Sequence, residues 1–169
     1  MRYDVMLIPQ TTGMGCWAAS IAMILGWKNQ ASFDPNLIAS NSGGVSYVPS
    51  LTHGLDPNDR YILRQNGFMV EEPVCYTPPG VANLLNDYGP LWLAGLLPLP
   101  GATGLIPHVR VVTGFENDQV YINDPWPVNS GRRYNRSFQE IFVGQMESLG
   151  IREINEPCPV YVAHLAAGF

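Results

Sequence analysis

The sequence predicts an α+β fold in which a helical N-terminal half packs on a C-terminal antiparallel sheet. Three observations carry that expectation. From Cys16 to Trp27, apolar residues recur at three- and four-residue spacing, the period of a helix. Between His108 and Asp124, β-branched residues alternate on either side of Glu116-Asn117-Asp118, the pattern of a hairpin. Helical segments come first and strand segments follow, an order that segregates the two rather than interleaving them.

Composition limits the function classes. The chain has 169 residues, so one domain over 1–169 is expected. Apolar residues make up 46% of it, which excludes a disordered or collagen-like chain. Charged residues are 14%, against roughly 25% in an ordinary globular protein. The net charge of −5 leaves no basic face for nucleic acid, so no nucleic-acid partner is expected. Met1-Arg2-Tyr3-Asp4-Val5 lacks the basic cap and apolar run of a signal peptide. The uncharged run from Tyr88 to Pro107 contains Pro90, Pro98, Pro100 and Pro107. It therefore reads as a buried strand and a loop over Leu96 to Pro107, and no membrane partner is expected. Cys16, Cys75 and Cys158 are too few for a disulfide framework. No metal-ligand motif occurs, so neither metal nor cofactor is expected.

The elements follow in order. Tyr3 to Pro9 is apolar and extended, and Thr11 to Gly15 is a turn. The first helix runs from Cys16 to Trp27. A second spans about Phe33 to Ser40, with Asp34 as N-cap and Pro35 in its first turn. Asn41 to Thr52 is a loop. Asp56 to Asn66 is a helix that Gly67 caps. Phe68 to Glu72 is a short strand, Pro79 to Tyr88 a helix, and Pro90 to Ala94 a strand. The hairpin strands are His108–Phe115 and Gln119–Asp124, and Pro125 and Pro127 end the second. Arg132, Arg133 and Arg136 read as a solvated turn. A helix near Phe138 to Met146 and a strand near Pro159 to His164 complete the chain.

Four residues stand where chemistry is supported. Cys16 opens the first helix after a glycine-rich turn. Unpaired N–H groups and a positive dipole end gather there, and both favour a thiolate. His108 opens a strand. The hairpin brings the end of its partner strand back beside it, so Asp124 is expected near His108, where a carboxylate can fix the imidazole tautomer. Gln10 precedes Cys16 within the turn, and its amide can join the Cys16 N–H as a second donor toward a developing oxyanion. Trp17 and Trp126 flank this set. Trp17 suits the core or a substrate wall, and the ring of Trp126 suits shielding of the His108–Asp124 pair. His53 and His164 have no visible partner.

The ordered motifs Gln10-x5-Cys16-Trp17-Ala18-Ala19, Gly89-Pro90-Leu91-Trp92, His108-Val109 and Asn123-Asp124-Pro125-Trp126 resemble the papain-like cysteine peptidases. The resemblance is to the compact bacterial branch of AvrRpt2-type effector peptidases and the C39 group, and it runs from about residue 3 to residue 128. It departs from plant papains in three respects. Gly13-Met14-Gly15 precedes the cysteine, the Cys16–His108 separation is shorter, and Asp124 replaces an asparagine. The resemblance implies Cys16 as nucleophile, His108 as general base and acid, Asp124 as its orienting partner and Gln10 as oxyanion donor. It also implies a protein substrate.

Other classes stay open on the sequence alone. Amidases, deamidases and acyl or glutamyl transferases use the same triad, and a decayed papain-like binding module is the non-enzymatic alternative. Effector or interbacterial toxin function is a further expectation from the resemblance. With it come an immunity or inhibitor protein as partner and a place in the producer cytoplasm or in a target cell reached by a dedicated secretion system.

Overall fold

A computed structural model describes residues 1–42, 60–72, 76–98, 105–143 and 161–168. Within these, α1 is Cys16–Asn29, α2 Pro35–Asn41, α3 Arg60–Gln65, β1 Phe68–Val70, α4 Pro78–Tyr88, β2 Leu91–Pro98, β3 Leu105–Glu116, β4 Gln119–Asp124, β5 Arg132–Ser137 and β6 Tyr161–Leu165. A short π-helical turn, Gln139–Val143, follows β5. The six strands form one antiparallel sheet in the order β1-β6-β2-β3-β4-β5. The α+β class expected from the sequence is the observed one.

Both faces of the sheet are buried. Trp92, Val109 and Val111 lie in the same apolar cluster as α1. Leu91, Leu93, Val112 and Ile122 lie in a second cluster with Val81 and Leu85 of α4 and Ile141 and Phe142 of the π turn. The period-2 alternation of β2 and β3 sends adjacent residues to opposite cores. Helix α1 is buried on every side from Cys16 to Leu25, so it is a central helix rather than the one-faced surface helix of the expected periodicity. Each fully buried side chain such as Ile21 or Ile24 contributes about 1.5–3 kcal/mol.

Local chemistry explains the boundaries. The Asp34 side chain accepts from Asn36 N at 2.8 Å and caps α2. Thr77 does the same for Gly80 N at 3.2 Å and caps α4. The β3–β4 turn places Asn117 and Asp118 at φ 50° and 63°, the positive pair that a two-residue hairpin requires. A bulge lies between Val112 and Gly114. There the N-terminal segment docks: Arg2 bridges Gly114, and Tyr3 N donates to Thr113 O at 2.7 Å. Gly114 is required by this approach, because a Cβ would lie 2.6 Å from Met1 O.

The structure corrects four expectations. Where the expected loop over Leu96 to Pro107 is described it is strand, with Leu96 to Pro98 in β2 and Leu105 to Pro107 in β3, and residues 99–104 lie outside the described residues. The Arg132, Arg133 and Arg136 cluster is strand β5, not a turn. It is a sheet edge with mostly exposed residues, so it carries no apolar alternation to read. The helix expected from Phe138 is a π turn as far as Val143, and the strand after Gly67 stops at Val70. The loop Asn41 to Thr52 from residue 43 onward, residues 56–59 of the helix expected from Asp56, His53, Cys75 and Cys158 fall outside the described residues. Among the described residues no helix is long and apolar enough to cross a membrane.

Candidate active site

The site is assembled where α1 begins and where β3 and β4 meet at one end of the sheet. Cys16 is the first residue of α1, 6% exposed. Unlike α2 and α4, α1 starts without a side-chain cap; its N-cap is Gly15. Its first N–H groups are therefore not taken by a capping oxygen.

His108 is 2% exposed and Asp124 is fully buried. The His108 Nε2–H donates to Asp124 Oδ1 at 2.6 Å. The ladder pairs Val111 with Asn123, which sets Asp124 across from Arg110 and His108 two residues beyond, a diagonal on one face of the sheet. With Nε2 committed to the carboxylate, Nδ1 is the ring nitrogen left to serve Cys16, whose sulfur is near enough to help raise the His108 pKa.

The electrostatics follow from that chain. Burial lowers the pKa of His108, but hydrogen bonds and attraction from Asp124 and Cys16 outweigh it and raise it from 6.5 to about 9. Burial raises the pKa of Asp124. Its hydrogen bond and attraction to His108, the Trp126 N–H and the Arg132 charge outweigh that and hold it below the usual carboxylate range. With its pKa raised to about 9, His108 is an imidazolium at neutral pH.

Asp124 is anchored by four donors. Oδ1 accepts from His108 and from Trp126 N at 3.0 Å. Oδ2 accepts from Arg132 Nε at 3.1 Å and Nη2 at 3.0 Å. Sequence reasoning missed Arg132. The signal was the turn chemistry of Asn129-Ser130-Gly131, where Asn129 and Gly131 take φ 63° and 57° and return the chain so that Arg132 pairs with Asp124.

Gln10 is fully buried. Its backbone is fastened to the loop that follows Asp124: Gln10 N donates to Pro125 O at 3.1 Å, and Asn129 N donates to Gln10 O at 2.8 Å. Its Nε2 donates one N–H to Thr12 O at 2.7 Å and retains a second, while Oε1 is buried with no partner among the described residues.

The two tryptophans part company. Trp17 is fully buried in the α1 core, and its carbonyl accepts from Trp92 Nε1 at 3.4 Å. It offers no surface to a substrate, which corrects its expected place in a substrate wall. Trp126 is half-buried, and its backbone N–H is what ties it to Asp124. Away from the site, His164 is a core histidine. It lies 2.7 Å from Glu71 Oε1 and 2.8 Å from Leu165 O, and it stacks on Tyr88. Among the described residues no group of side chains could hold a metal ion.

Residues 1–143 match the model of the family described as papain-like cysteine protease AvrRpt2. No curated protein matches the sequence. Three solved structures share the fold. One is a double-glycine-motif protease from an AMS/PCAT transporter, in complex with the leader peptide. It is 19% identical over 98% of this chain and 94% of that chain, with a TM-score of 0.58. Another is the peptidase domain of Streptococcus ComA, a bifunctional ABC transporter involved in quorum sensing, at 15%, 96%, 100% and 0.55 in the same order. The third is a C39-like peptidase from Bacillus anthracis, at 13%, 96%, 95% and 0.55.

Proposed function

The chain belongs to the AvrRpt2 family of papain-like cysteine proteases, and on that premise we propose that it cleaves peptide bonds of a protein substrate with Cys16, His108 and Asp124 as its triad. The observation that carries this reading is the buried 2.6 Å contact of His108 with Asp124, on a ring whose pKa Cys16 also helps to raise. In the reaction, the Cys16 thiolate adds to the scissile carbonyl carbon. The second N–H of Gln10 and the Cys16 backbone N–H receive the oxyanion. The His108 imidazolium gives its proton to the leaving amine as the C–N bond breaks, which leaves a thioester. Water, deprotonated by His108, then adds to the thioester, which releases the acid and restores the Cys16 thiolate beside the His108 imidazolium.

A protein or peptide substrate is supported by the family and by the transporter protease of like fold that binds a leader peptide. The finer reading is an effector or interbacterial toxin restrained by an immunity protein, and it rests on the resemblance read from the sequence. Mass spectrometry of new N-termini, after the purified protein is mixed with a denatured proteome, tests the activity. New termini that vanish with Cys16→Ala are expected. Equal cleavage by Cys16→Ala, or none by the wild type, contradicts the reading. Growth arrest on expression in a bacterial or eukaryotic host tests the toxin role, and harmless expression in both rejects it.

A further inference from the structure

We propose that Arg132 is a positioning residue of the active site, which locks Asp124 against His108 and offsets the carboxylate charge. The inference rests on the reading of Cys16, His108 and Asp124 as a triad. A carboxylate offers about four acceptor positions, and all four of Asp124 are filled, two by Arg132 on Oδ2 and two by His108 and Trp126 on Oδ1. The carboxylate therefore cannot turn about its axis without breaking bonds at both oxygens. Arginine suits this place because its planar fork delivers two N–H groups in fixed geometry, where a lysine delivers a point charge.

The fork is itself braced. The Arg132 guanidinium lies 5.1 Å from the centre of the Tyr134 ring, two residues along β5. The Tyr134 hydroxyl accepts from Arg110 Nη1 at 3.2 Å, and Arg136 covers the same ring at 5.7 Å. Arg132 is half exposed while Asp124 is fully buried, so the side chain closes the outer side of the carboxylate.

Charge gives a consequence that mere packing would not. The charged chain that reaches His108 is Asp124 on β4 and, through it, Arg132 on β5, with Arg110 of β3 on the Tyr134 hydroxyl. Arg136 is paired with Glu140 at 3.8 Å and touches this chain only through the Tyr134 ring. With Arg132 present, Asp124 is balanced, and the imidazolium charge of His108 is left for the Cys16 thiolate. Without it, the carboxylate and the imidazolium cancel, and the thiolate loses its net positive neighbour.

The test is the rate of Cys16 alkylation by iodoacetamide between pH 4 and 9, followed by peptide mapping. Arg132→Gln should move the acid limb up by about one pH unit, with the fold intact by circular dichroism. Arg132→Lys should return it most of the way, and Arg64→Gln, at an exposed position on α3, should leave it in place. An acid limb unmoved by Arg132→Gln overturns the proposal while leaving the triad standing. So does an equal shift in Arg64→Gln, since any surface charge would then suffice. If wild-type Cys16 shows no reactivity below pH 7, the triad reading fails and the proposal falls with it.

Discussion

His108 Nε2 stands 2.6 Å from Asp124 Oδ1 with both side chains buried, and this contact decides which face of the imidazole is turned to Cys16. A carboxylate only accepts, so Nε2 carries the proton, and in the proposed reaction Nδ1 is the nitrogen that exchanges a proton with sulfur.

Replacing Asp124 separates orientation from charge. Asp124→Asn keeps an oxygen for the His108 Nε2–H and the Trp126 N–H, whereas Asp124→Ala keeps neither. We expect Asp124→Asn to retain measurable peptidase activity and Asp124→Ala to lose on the order of 10²-fold or more, within the range of triad lesions. Steady-state rates of both on one substrate check this, and equal losses would argue against an orienting role.

Gln10 is predicted to act in the transition state. Gln10→Ala should lower kcat by about 10²–10³, with residual turnover. KM should change little, because the amide meets the oxyanion and not the ground-state substrate. A loss confined to KM contradicts this role.

Gly114 links the fold to the site. A Cβ there would meet Met1 O at 2.6 Å and Arg2 Cα at 2.7 Å, and the strap so displaced leads to Gln10. Gly114→Ala should cost about 1–3 kcal/mol in a urea titration, with activity falling in step. A variant of wild-type stability would show that the strap yields without cost.

Stability should depend on pH through His108. Its pKa is raised from 6.5 to about 9 on folding, so its contribution is complete below about 6.5 and is lost as pH rises through 9. Asp124 works in the opposite sense: its pKa is lowered from 3.8, so its share is present above that value and lost under more acid conditions. Thermal melts should show Tm falling between pH 6.5 and 9, and His108→Gln should flatten the fall. An unchanged slope in that variant assigns the dependence elsewhere.

Much of this was legible in the sequence, for identifiable reasons. The first helix, the Asp34 helix start, the helix read over Pro79 to Tyr88 and the hairpin turning at Asn117-Asp118 are written in local chemistry that tertiary context does not override. The hairpin register could be read only to within a residue or two, because the turn pairs Glu116 with Gln119 and the bulge between Val112 and Gly114 then moves the ladder back by one residue. That shift puts Asp124 opposite Arg110, on the face of His108 and diagonal to it, where an unbroken ladder would have set it opposite Val111. Arg132 was not legible, because an edge strand of exposed arginines has no hydrophobic period and its meaning lies in a partner across the ladder. The second N–H of Gln10 and the four donors on Asp124 are likewise properties of packing. Trp17 was legible as a helix residue but not as one buried on every side, since that burial depends on α2 and the sheet closing around α1.

The central claim is that His108, oriented by Asp124, makes Cys16 a nucleophile. Its most direct test is iodoacetamide labelling of the purified protein at pH 6, with peptide mapping of Cys16, Cys75 and Cys158, in wild type and in His108→Ala. The account predicts rapid labelling of Cys16 alone in the wild type and its loss in His108→Ala. Labelling of all three thiols alike, only above roughly pH 8 and regardless of His108, would contradict it.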